Sequence, residues 1–205
     1  MRVSTSDLPV SLSCSSCPQF VWTQKNLIQN CNPNTEVPQL AVSSTAEDWA
    51  KMALNLFNHR RYMQAMHCYE RAGLQREKAV AHAYHLRDVA RSPLIAKADA
   101  ATRANAYNTA AEAFIASAQE AVTEKRAYYR IAAECYIQSG DDYRAAQAYQ
   151  NAGEYNLAAS HFRKAGKFEE AVEIVRLHKP QMSASVADSI VEVSKLYFLR
   201  EKRIM

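Results

Sequence analysis

The stretch GEYNLAASHFRKAGKFEEA, from Gly153 to Ala171, decides the fold. It holds two of the chain's four glycines, Gly153 and Gly166, thirteen residues apart. Each is followed two residues later by an aromatic, Tyr155 and Phe168, and Gly140 stands thirteen residues further back, with Tyr143 close behind it. A glycine at this interval predicts a helix of about ten residues, a tight turn and another helix, because glycine reverses the chain without a Cβ clash.

Aligned on their glycines, YMQAMHCYERAG, DYRAAQAYQNAG and EYNLAASHFRKAG share one grammar. An aromatic (Tyr69, Tyr149, Phe162) lies three residues before a terminal alanine, and a small residue (Ala65, Ala145, Ala158) lies seven before it. The terminal pairs are Ala72-Gly73, Ala152-Gly153 and Ala165-Gly166. Small residues let neighbouring helices approach, and the aromatic fills the groove of the adjacent helix. Such units cannot bury their apolar faces alone and must stack. Two units span 26 residues, shorter than the roughly 34 of an ideal tetratricopeptide repeat (TPR). The expected fold is therefore all-α, a degenerate TPR-like α-solenoid of antiparallel helix pairs with an irregular N-terminal segment.

Composition agrees. The chain has 205 residues, 48% hydrophobic and 22% charged, with a net charge of +4, which fits a globular helical protein. No apolar run is long enough for a membrane span or a signal-peptide core. With five cysteines, an odd number, a reducing, intracellular setting (cytoplasmic or nuclear) is expected. Cys68 and Cys135 fall at apolar helix positions and read as buried thiols. Cys14 and Cys17 form a single CxxC with Cys31 nearby. A structural zinc site usually needs a second ligand pair, so these read as linker cysteines.

Residues 1–45 are rich in Ser, Pro, Asn and Thr and read as an irregular linker or the tail of an upstream domain, with Phe20, Val21 and Trp22 as its apolar patch. Residues 46–178 read as the helical repeats, opened by Ser44 or Thr45 as cap, with Trp49 the first packing aromatic. A bulky run, Tyr62 to Gly73, forms a second short helix, and a longer one follows to the Ser92-Pro93 break. Two long helices close at Gly140, and three short ones cover 142–152, 155–165 and 168–178. Residues 179–205 hold one further helix. All eleven tyrosines lie in this helical part, as expected of packing residues.

The residues carry no catalytic constellation. The only Gly-Lys, Gly166-Lys167, is followed by Phe168 and preceded by His161 where a P-loop needs its first glycine. His82 and His85 with Glu77 lack an HExxH pattern and read as helix-surface residues. No cofactor and no metal are expected. One charge feature stands out: between Arg60 and Lys97 lie eight basic residues (Arg60, Arg61, Arg71, Arg76, Lys78, Arg87, Arg91, Lys97) against Glu70, Glu77 and Asp88. This excess suits an acidic peptide or phosphates, or is a solvated helical face.

At VSSTAEDWAKMALNLFNHRRYMQAMHCYERAGLQREKAVAHAYHLRDVAR the sequence resembles the helical region of large TPR- and ankyrin-repeat-containing proteins that carry a UvrD-like helicase domain, especially their fungal relatives. The residues that carry the resemblance include Trp49, Leu56, Phe57, Tyr62, Ala65, Tyr69, Arg71, Ala72, Gly73, Ala81, Tyr84, His85, Leu86 and Arg87. The preceding FVWTQKNLIQNCNPNTEVPQLAVSST is similar to the joint after the helicase region, and the likeness spans roughly residues 20 to 178. The resemblance implies a segment downstream of a helicase motor whose ATP site lies elsewhere. The expected function is a non-catalytic module binding a protein or peptide. The alternative is an accessory domain touching nucleic acid. No membrane is expected as a partner.

Overall fold

The computed structural model describes residues 44–204, which are helical throughout apart from short turns, with no strand among them. The expectations for the segment up to residue 43, including Cys14, Cys17 and Cys31, lie outside the described residues. Ten α-helices follow in order: α1 Ala46–Asn58, α2 Tyr62–Arg71, α3 Gln75–Ala90, α4 Pro93–Ala96, α5 Ala100–Glu120, α6 Lys125–Ser139, α7 Asp142–Ala152, α8 Tyr155–Lys164, α9 Phe168–His178 and α10 Ala184–Ile204. Contacts divide the chain into two compact units, Met1–His85 and Leu86–Met205.

In the first unit, α1 starts with a capping box. Thr45 Oγ1 accepts from the Asp48 amide at 3.2 Å, and the Asp48 carboxylate accepts from the Thr45 amide at 2.9 Å. This satisfies two backbone donors that a helix start leaves open. α1 packs on α2 around Ala53, Leu56, Ala65, Cys68 and Tyr69, with Ala81 of α3 joining that core. Phe57, Tyr62 and Tyr84 form an aromatic triad with ring centroids 5.2–5.4 Å apart.

In the second unit, α5 packs on α6, α6 on α7, α7 on α8 and α8 on α9, while α10 lies against α8 and α9. Ala187 and Ile190 of α10 share one core with Phe162, Ala171 and Ile174. The break expected at Ser92-Pro93 is an end and a beginning at once. α3 stops at Ala90, and Pro93 opens the one-turn α4, with Ser92 as its cap. Proline suits that position because its missing N–H has no helical partner there.

Among the described residues, alanines outnumber all other buried apolar residues together. Ala65, Ala145 and Ala158 are fully buried, and Tyr69, Tyr149 and Phe162 are buried as well. The turns share one geometry. The amide after each glycine donates to the carbonyl of the aromatic four residues before that glycine: Leu74 to Tyr69 and Glu154 to Tyr149, both at 2.9 Å, and Lys167 to Phe162 at 2.8 Å. This six-to-one bond defines a Schellman turn. Two further turns share it that the sequence alignment does not contain. Asp141 donates to Tyr136 at 2.9 Å around Gly140, with Ser139 in place of the terminal alanine. Arg61 donates to Leu56 at 2.9 Å, and there the left-handed residue is Arg60, with φ of 60°.

Two tyrosines pack at the surface of the helices. Tyr143 and Tyr197 are 37% and 39% exposed. Each lends one side of its ring to a neighbour, Tyr143 to Phe162 and Tyr197 to Phe168.

Gly153 has φ of 79°, and an added Cβ would meet nothing closer than the Arg126 guanidinium at 3.9 Å. Its substitution is therefore limited by backbone conformation, not space. Gly153→Val is expected to cost about 1–3 kcal/mol, and Ala158→Leu about 1–3 kcal/mol through overpacking. Arg60→Gly should act in the opposite sense and raise stability by about 0.5–1 kcal/mol, since it removes the left-handed strain. Urea unfolding monitored by circular dichroism measures all three, and an unchanged midpoint for Gly153→Val and Ala158→Leu would refute the shared packing grammar.

Candidate functional site

The basic residues between Arg60 and Lys97 do not behave as one uniform set. Arg60, Arg61, Arg71, Arg76 and Lys78 belong to the first unit, and Arg87, Arg91 and Lys97 to the second. In the first unit, Lys78 is bound to Glu70 at 2.6 Å, which holds the Glu70 carboxyl below its usual value through that hydrogen bond. Arg71 lies over the Trp49 ring at 5.6 Å. Arg60 and Arg76 are exposed, and Arg61 is half-buried. In the second unit, the Arg87 guanidinium is half-buried over the Phe114 ring at 5.7 Å. Arg91 and Lys97 are exposed. Lys78, Arg71 and Arg87 thus hold helices together, as amphipathic long side chains often do. His82 is exposed and His85 half-buried on α3. Among the described residues, no three His, Cys, Asp or Glu side chains come together in a way that holds a metal ion.

The polar arrangement with most internal order lies in the second unit, where α5, α6, α7 and α8 meet. It grows from the cap of α7. Asp141 Oδ1 accepts from the Arg144 amide at 2.9 Å, and Oδ2 accepts from Arg144 Nε at 2.6 Å. Arg144 also reaches Glu112 of α5 at 3.3 Å and lies over the Tyr136 ring at 4.7 Å. Partial burial of Asp141 works against its charge, but the Arg144 amide and guanidinium outweigh it, so the carboxyl sits below its ordinary value of 3.8. The Asp141 hydrogen bond in turn raises Arg144. Burial raises Tyr136.

Next to it, Asp142 pairs with His161 of α8, Oδ1 to Nδ1, at 2.6 Å. The His161 ring is 7% exposed and stacks on Tyr149 at 5.5 Å. This pair joins α7 to α8 from inside their contact. Beside these residues runs a groove of about 490 Å³, lined by Asn108, Ser139, Asp141, Asp142, Tyr143 and Lys164. Lys167 lies over the Tyr143 ring at 5.6 Å. Both aspartates on the groove wall are hydrogen-bonded, Asp141 to Arg144 and Asp142 to His161. Lys164 is exposed. This open surface presents an ammonium, an aromatic ring and amide and hydroxyl groups.

Sequence reasoning did not find this cluster. The signal available was weak: an Asp-Asp pair opening α7 and a histidine beside the buried Phe162 position. The buried cysteines were legible. Cys68 and Cys135 are both buried and free, and burial pushes the Cys135 thiol up to about 11.

Asp141→Ala is expected to cost about 0.5–2 kcal/mol at pH 7 as a lost helix cap. The folded pKa is depressed, so this contribution is fully present above the ordinary aspartate value and is lost as pH falls through the lower folded value. The gap between wild type and Asp141→Ala should therefore close as pH drops below 3.8, as read from unfolding midpoints across an acid series. A gap independent of pH would remove the carboxylate from the account. No protein family, no curated protein and no solved structure matches this chain.

Proposed function

We propose that the chain is a non-catalytic protein-interaction module, built as a TPR-like α-solenoid and belonging to a large protein of the UvrD-like helicase type. The observation that carries this reading is the recurrence of one unit: a helix, a buried aromatic, a Schellman turn on the same carbonyl, and another helix packed on the first. Stacked units of this kind serve as scaffolds that present side chains to extended partners. The groove beside Tyr143 and Lys164 supplies a ligand-sized surface on that scaffold. The resemblance around Trp49 to Arg87 supports the link to the helicase proteins. In this reading the site residues are those that line the groove, and neither metal nor cofactor takes part.

The second reading, an accessory domain touching DNA or RNA, rests on the basic excess between Arg60 and Lys97. Lys78, Arg71 and Arg87 each already contact a neighbouring side chain of the fold, which leaves fewer cations for phosphates.

The test uses the purified full chain against a random peptide library, with affinities measured by fluorescence anisotropy. Enriched peptides should bind with micromolar affinity, and Tyr143→Ala or Lys164→Glu should weaken them about tenfold or more. Enrichment insensitive to both substitutions would exclude the groove. Binding of a labelled single strand that falls steeply between about 50 and 200 mM salt would favour the nucleic-acid reading, and no retention at low salt would end it.

A further inference from the structure

α10 is apolar on two faces. Its inner face carries Ala187 and Ile190 into the core shared with α8 and α9. At 3.6 residues per turn, Val193, Leu196 and Leu199 fall on the opposite face, and they are 37%, 67% and 61% exposed. Three exposed apolar side chains in a row, on a face turned away from the core and flanked by charged residues, form the kind of patch that marks an interaction surface.

The charges along the stripe say what kind. On the outer face Glu192 stands one turn ahead of Leu196 and Arg200 one turn behind it. We propose that this face pairs antiparallel with α10 of a second copy of the chain. With Leu196 on the two-fold axis facing its own copy, Val193 meets Leu199 three residues to either side. Glu192 meets Arg200 four residues to either side, twice per dimer by symmetry. An isologous contact needs such a self-complementary order of residues, and a parallel pairing would set like charges together. The stripe residues recur at steps of three about Leu196, and Glu192 and Arg200 each lie one four-residue step to either side of it. Glu192 has a partner within its own helix, Lys195 at 3.0 Å, but the two side chains are 68% and 62% exposed. A pair so open to water contributes little and yields readily to a better one. One helix pair covers less than a standard interface, so the dimer is weak, with a dissociation constant in the micromolar range. This surface is separate from the groove and goes beyond the interaction reading given for it.

The experiment is sedimentation equilibrium of the full chain over about 1 to 200 µM, the range in which a micromolar dimer dissociates. A monomer–dimer equilibrium is expected. Leu196→Asp should abolish it with an unchanged helical circular dichroism spectrum, since the side chain is exposed. Glu192→Arg and Arg200→Glu should each weaken the dimer about tenfold. The double swap should return it to near the wild-type constant, because each reversed charge again faces its opposite. A wild-type monomer throughout the range would overturn the proposal and assign the stripe to another occupant, such as the segment around Trp22 or a foreign helix. A dimer indifferent to Leu196→Asp, or a double swap no tighter than the single ones, would overturn it equally.

Discussion

The bond on which the rest of the structure depends is short and local. It runs from the amide after a left-handed residue back to the carbonyl of a buried aromatic. It satisfies a carbonyl that the end of a helix leaves open, and it also fixes where the next helix sets out. Because the accepting residue is the one whose ring fills the core, turn geometry and ring burial stand or fall together. At Tyr69, Tyr149 and Phe162 the same residue performs both tasks. Burying a ring of this size contributes roughly 2–3 kcal/mol, and the turn directs that gain to one helix–helix contact.

Alanine completes the arrangement. Fully buried alanines such as Ala145, Ala146, Ala158 and Ala159 bring backbones close, so the aromatics reach across to the neighbouring helix. Such a core gains little per residue from area but much from shape, and it has little room to absorb an added methylene. The polar cluster around Arg144 and His161 fits the same economy. It ties α5, α7 and α8 together through hydrogen-bonded polar side chains.

Most helices were legible because their signals are local. The glycines at 140, 153 and 166 and the Thr45 cap each announce a boundary through backbone chemistry. α7 to α9 match the expected ranges to within a residue. What escaped was what local chemistry does not encode. Arg60 adopts a conformation that glycine would suit better, so the turn after α1 left no glycine to find. The Asp142–His161 pair spans nineteen positions of sequence and exists only once α8 folds back on α7. The basic excess was visible as a count, yet the count does not tell a stacked arginine from one facing water.

The order of packing has a kinetic meaning. From α5 to α9 each helix rests on the one that precedes it in sequence, so the loops closed to form each contact are short. Folding of such a chain requires little entropy to be lost before contacts begin to repay it, and low contact order goes with folding in microseconds to milliseconds. A nascent chain of this kind can secure each helix as it emerges, before the residues that follow have been made.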